Sequence, residues 1–272
     1  MSLPAASVAA QHQCPFHGGE GPVLPLGSPG TLVHGLPAAR LSDICLCGTS
    51  SVAPHLSPLA EGAATVLIDG LPAGRIGVKT LAGGAIVMGE PSVLIGGDTF
   101  SLPPFITIDG PPDYQAKVLR CLYLNASSPS GKAMYASMAA SGRKCIIQPS
   151  EKNSAEQYPG PESESIYNGT GTDVMINFNP DQNEIPYNKE IEWAYPPGYS
   201  ADVSLFHEMV HGDDMMNGRQ VHGTARNTGR MRDGAHKPKG ELRAVGVEPY
   251  EDAPYSENTY RKDRGLPPRD FH

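Results

Sequence analysis

Three segments in the first hundred residues repeat one pattern, and that pattern restricts this end of the chain to β-structure. Gly27-Ser-Pro-Gly-Thr-Leu-Val-His-Gly-Leu-Pro-Ala-Ala-Arg40 is echoed by Thr65-Val-Leu-Ile-Asp-Gly-Leu-Pro-Ala-Gly-Arg75, and Pro91-Ser-Val-Leu-Ile-Gly-Gly97 closes the series. Each copy is a short β-branched or Leu-rich strand followed by a turn with Gly where positive φ is needed. Pro then follows in an edge or turn setting. Strands this short cannot bury a face alone, so several must fold against each other. The result is a small all-β unit with almost no helix and pseudo-threefold character. The 31 Gly and 27 Pro of the chain concentrate at this end, which implies two parts.

At 272 residues there is length for one large or two medium domains. The net charge of −8 argues against a general nucleic-acid or anionic-membrane binder, because phosphate contacts need surplus Lys and Arg. No apolar run reaches the ~18 residues that a bilayer span requires. The start lacks a basic n-region, so no signal peptide and a cytoplasmic origin are expected. Cys14, Cys45, Cys47, Cys121 and Cys145 are an odd set, which favours reduced thiols, available to a metal, over a disulfide framework. Residues 101–112 are punctuated by Pro and read as a linker between a unit at 1–100 and a second domain at 113–272.

In the second domain, helices are expected at Tyr114–Leu124 and Lys132–Ser141, with a short strand at Cys145–Ile147. Ser150 to Gly171 reads as an exposed loop. Val174, Ile176 and Phe178 alternate with polar neighbours as a half-buried strand, and such a strand could form the edge along which an extended peptide lies. Trp193 reads as a core anchor.

The chemistry concentrates in Ser200-Ala-Asp-Val-Ser-Leu-Phe-His-Glu-Met-Val-His-Gly212. Its apolar residues have helical spacing, Ser200 or Asp202 can cap the start, and Asn217-Gly218 offers a stop. His207 and His211 then lie one turn apart on one face and can converge on one ion. Glu208 on the same flank can reach a metal-bound water without being a ligand. A catalytic zinc wants three protein ligands and one open position. Asp213, Asp214, His222, His236, Glu241 and Glu248 are the candidates for the third. Gly240–Gly246 looks like one or two helical turns with Leu242 and Val245 inward, which would turn Glu241 toward a neighbouring helix.

Residues 10–98 resemble the PAAR-repeat family, whose name is nearly spelled at Pro37-Ala38-Ala39-Arg40. The resemblance implies a small β cone that caps the spike trimer of a type VI secretion apparatus and leaves the cell by injection. It also implies a structural zinc near the apex, with His12, His17 and Cys45 matching the family's ligands. The fourth ligand departs, because Thr80-Leu-Ala-Gly-Gly84 offers no family-type donor; Cys14, Cys47 or His55 could complete the set.

Residues 170–272 resemble the NleD-type effector metallopeptidases, on three pieces: the His-Glu-Met-Val-His helix, Glu241 with Arg-Ala-Val-Gly-Val, and Ser256-Glu257-Asn258-Thr-Tyr-Arg261 with Gly265-Leu-Pro-Pro-Arg269. The fold class expected is therefore two domains, a PAAR-like cone and an α+β zincin-like metallopeptidase. The resemblance implies zinc held by His207, His211 and Glu241, Glu208 as general base, and a protein substrate in the target cell. An immunity protein is a further partner in that reading. Arg261, Tyr260 and Arg269 are the candidates for stabilising the oxyanion. The competing readings are a structural tip with an inactive or adaptor C-terminal half, and a nuclease cargo using Arg226, Arg230, Arg232, His236, Lys237 and Lys239 as a basic patch.

Overall fold

The computed structural model describes residues 1–15, 18–47, 55–158, 163–181, 200–226 and 236–269, without the side chains of Arg226 and His236. His17 and Trp193 lie outside the described residues, as do Arg230 and Arg232. The chain divides into two compact units: Met1–Leu102 with Gly110–Arg120, and Pro103–Asp109 with Cys121–His272.

The first unit is built from short strands, and its repeats explain how. In the first copy, Leu32–Val33 pairs with Leu36–Pro37; in the second, Glu61–Ile68 pairs with Leu71–Ala73. Both hairpins turn through two residues of positive φ, His34 and Gly35 in one, Asp69 and Gly70 in the other. Two successive left-handed residues make the turn whose twist matches a hairpin, so Val-His-Gly-Leu and Ile-Asp-Gly-Leu are one device used twice. In the third copy, Glu90–Ile95 pairs with Leu3–Ala5. The core is made of small residues, with Ala5, Ala38, Ala63 and Ala73 packed beside Val33, Ile68 and Ile95. Close approach of backbones demands this: a Cβ on Gly62 would meet Pro72 at 2.6 Å.

The arginine that ends each of the first two copies ties it to the next. Arg40 Nη1 donates to Asp69 in the second turn. Arg75 is buried and donates to Ile95 O at 3.1 Å, Gly97 O at 2.9 Å and Thr99 Oγ1 at 2.8 Å. The repeat therefore closes through charge-assisted hydrogen bonds as well as apolar contact.

The second unit is mixed α/β. Its sheet runs Ile106–Ile108, Cys145–Pro149, Asp173–Phe178, Ser154–Tyr158; the first three strands are parallel and the last antiparallel. Its helices are the end of α1 (Pro112–Ser127), of which residues 112–120 belong to the first unit, then α2 (Pro129–Ala140), α3 (Ala201–Met216), α4 (Lys239–Val245) and α5 (Glu257–Asp263). Helix α3 packs on the Asp173–Phe178 strand and on α2, α4 and α5, so it is covered on nearly every side. No described helix is long and apolar enough to cross a membrane.

Three expectations change. The segment 101–112 is not simply a linker, because Ile106 and Ile108 are buried and pair with Cys145–Ile147. Alternation over only three residues was too short to see among the prolines. The polar stretch 150–171 contains the strand Ser154–Tyr158, which needs an apolar face less than an internal strand does because it ends the sheet. Asp173–Phe178 forms with the expected alternation of burial, but it lies inside the sheet and not at its edge. All five cysteines are buried, and none forms a disulfide among the described residues.

Candidate metal centre

Helix α3 starts from Ser200 in extended conformation and stops at Asn217, with Gly218 at φ 65° just beyond. Between them Val203, Leu205, Phe206, Met209 and Val210 are fully buried, and they fix the rotation of the helix about its axis. That rotation presents His207, Glu208 and His211 along one flank. Helix α4 follows Pro238, buries Leu242 and Val245, and is closed by Gly246 at φ 79°. Its first turn carries Glu241 to the two rings.

The three donor atoms meet. His211 Nε2 lies 3.2 Å from His207 Nε2, and Glu241 Oε2 lies 3.3 Å from the first ring and 3.4 Å from the second. Among the described residues they are the group of three metal-type side chains close enough to share an ion. Zinc at 2.0–2.1 Å from its N and O ligands in a tetrahedron separates neighbouring ligand atoms by about 3.3–3.4 Å, so the triangle fits one face. Two imidazole lone pairs and a carboxylate turned toward one point also call for a cation between them. Without a metal a proton fills that role. Burial disfavours a charged His207, but hydrogen bonds to Glu241 and Glu257 outweigh it and raise its pKa to about 10.

Beside the triangle lies a cavity of about 380 Å³ whose wall includes Glu208, His211 and Glu241, with Asn153–Ala155 at the start of the sheet's last strand. His222 and Tyr167 also line it, their rings stacked with centroids 3.4 Å apart. Of the other candidates for the third ligand, Asp213 and Asp214 turn away to Arg219 and Arg243, and Glu248 is exposed. The side chain of His236 lies outside the described residues.

Tyr260 and Arg261 do not face the cavity. Tyr260 is fully buried, stacks on Phe206 at 4.4 Å, and donates from its hydroxyl to Asp202 Oδ2 at 2.6 Å. Arg261 is fully buried, with Nε donating to Pro267 O at 2.7 Å and Nη1 to Glu257 Oε1 at 3.3 Å. Arg269 also reaches Glu257, from Nη1 to Oε2 at 2.8 Å. None of the three lines the cavity: Tyr260 and Arg261 donate inside the fold, and Arg269, whose Nε is a buried donor with no hydrogen-bond partner among the described residues, is tied to Glu257. In the sequence Glu257 stands out only as part of the family-like tail; its contact with His207 appears only in the fold. Glu257 lies four residues before Arg261, the spacing of a helical ion pair, and its Oε2 accepts from His207 Nδ1 at 3.0 Å.

In the first unit His12 is fully buried against Gly84, where a Cβ would fall 2.0 Å from its Nε2. That nitrogen lies 3.8 Å from Cys47 Sγ and 3.4 Å from Thr80 Oγ1. Cys45, the expected ligand, packs instead in an apolar cluster with Leu59, Val78 and Ile86. The sequence offered both cysteines two positions apart on one strand face, and only the fold shows which lies beside the histidine.

Comparison with known proteins agrees with this division. A PAAR motif matches residues 17–88, and the peptidase M91 effector-protein family matches residues 103–271. No curated protein matches the chain. Among solved structures, the Clostridium botulinum neurotoxin serotype F light chain is 13% identical, with a TM-score of 0.38 over 50% of this chain and 45% of that one. The chain thus spans less than half of that protein's length. With a PAAR motif toward its N-terminal end and the larger family match over the remainder, the protein belongs to the peptidase M91 family of effector proteins.

Proposed function

We propose that the protein is a spike-tip effector carrying a zinc-dependent endopeptidase, with His207, His211 and Glu241 as ligands and Glu208 as general base. The observation that carries this reading is the triangle of donor atoms, 3.2–3.4 Å on each side, beside a cavity that Glu208 also lines. Zinc bound there would supply Lewis acidity toward a peptide carbonyl and a lowered pKa for attacking water. Glu208, which lines the cavity, would accept a proton from the attacking water and deliver it to the leaving amine. An extended substrate lies along Ser154–Tyr158, whose first residues line the cavity, and pairs with it as a further strand. Tyr260 and Arg261 support the helix and its histidine from behind.

The first unit serves as the tip. It docks on the spike trimer of a type VI secretion system, which injects the protein from the bacterial cytoplasm into a target cell where it cleaves proteins. A structural zinc near His12 is part of the same reading, with Cys47 in place of Cys45; His17 lies outside the described residues. An immunity protein in the producing cell would be the matching partner. Glu208→Gln tests the core of this reading. Proteolysis of target-cell lysate should fall by about 10²–10⁴-fold while one zinc remains bound at the second unit. Undiminished proteolysis by that variant would refute it.

A further inference from the structure

We infer that Glu257 is the positioning residue of this centre, orienting His207 toward the metal, and that residues 258–269 act as a clamp holding Glu257 in place. The inference rests on the zinc reading above.

Glu257 contacts the ring on the side away from the donor triangle. Its Oε2 meets Nδ1 at 3.0 Å, while Nε2 faces His211 and Glu241. The carboxylate is therefore a ring acceptor and not a fourth ligand. Accepting the Nδ1 proton selects the tautomer whose Nε2 lone pair is free for a metal, and makes that nitrogen a better donor.

Its oxygens are both held. Oε1 accepts from Arg261 and Oε2 accepts from Arg269. Glu257 and Arg261 are at most 1% exposed, so neither charge is stable there without the other partners. The clamp is closed at several points. Asn258 Nδ2 donates to Arg269 O at 2.8 Å, Arg269 N donates back to Asn258 Oδ1 at 2.7 Å, and Arg261 Nε donates to Pro267 O at 2.7 Å. The Tyr260–Phe206 stack fixes α5 on α3 one residue before His207. Glu257, Asn258, Arg261, Pro267 and Arg269, five scattered positions in sequence, thus converge on the placement of one carboxylate.

The test is zinc affinity of the full chain, measured by competition with a chromophoric chelator, with thermal melting recorded for every variant. Glu257→Gln should weaken zinc binding about 10–100-fold. Arg269→Ala, which leaves the carboxylate but loosens it, should weaken binding in the same direction by less. Tyr255→Phe removes a buried hydroxyl that donates to Asp213 at 2.6 Å, and should lower the melting temperature with zinc affinity unchanged. If the parent binds no zinc that His207→Ala removes, the zinc reading and this inference fall together. If the parent binds it and Glu257→Gln binds equally well, the inference alone is overturned. Should Glu257→Gln fail to fold, Arg269→Ala decides, and an unchanged affinity there overturns the clamp. A loss of affinity in Tyr255→Phe equal to that in Glu257→Gln would show a general loosening and overturn it as well.

Discussion

The two units hold their polar groups in different ways, and the difference separates shape from chemistry. In the first, Arg75 ends on backbone carbonyls and a threonine, Arg40 on acids at turns, and His12 sits beside one thiol and one hydroxyl. These contacts fasten strands to one another. In the second, Glu257, Arg261, Arg269, His207, His211 and Glu241 form one connected set whose acceptors converge on a point beside a cavity. Buried ion pairs seldom stabilise more than apolar packing of the same volume would. A unit that keeps so many around one point is organised for what binds there.

The comparison is sharpest when zinc is removed. Saturating zinc at about a thousand times its Kd should stabilise the second unit by about 4 kcal/mol, and chelation should remove that, lowering its melting transition by several degrees. Glu241→Ala should abolish the effect. If zinc moves only a transition of the first unit, the contrast between the units is wrong.

Arg75→Ala tests the other side. Losing three hydrogen bonds from a buried guanidinium should destabilise the first unit by about 3 kcal/mol and leave proteolysis per folded molecule unchanged. A drop in kcat without a drop in stability would mean the first unit contributes to the chemistry.

The pH dependence of the metal-free protein follows from His207. Its folded pKa, about 10, is above its ordinary 6.5, so its stabilising contribution is fully present below pH 6.5 and is lost as pH rises toward 10. Glu257 behaves oppositely. Burial opposes its charge, but His207 and Arg269 hold its pKa near 2, so its contribution is lost as pH falls from 4.5 toward 2. Melting temperatures measured in chelator should therefore fall at both ends, and zinc should flatten the alkaline side.

Smaller effects follow. Tyr260→Phe should cost about 1 kcal/mol, from the lost hydrogen bond to Asp202, with kcat within about twofold. A hundredfold loss in kcat at full zinc occupancy would instead return Tyr260 to the reacting groups. His34→Gly, at a position of φ 50°, should change the stability of the first unit by less than about 1 kcal/mol, read from its melting transition.

Local order was legible in the sequence because it depends on neighbours along the chain. The paired hairpin turns, the metal helix with its stop at Asn217-Gly218, the short helix of Glu241 and the alternating strand at 173–178 all follow from spacing and turn chemistry. So did the two-part layout and the placing of His207 and His211 one turn apart on one helix. What lay beyond it were relations between segments far apart. Which cysteine stands by His12, which strand ends the sheet, and that residues 257–269 fold back on His207 all depend on how elements pack, and packing is set by contacts across 35, 19 or 50 positions. Tyr260, Arg261 and Arg269 show the limit most plainly: their residue types suit an oxyanion, but only the fold shows that Tyr260 donates to Asp202 while Arg261 and Arg269 donate to Glu257.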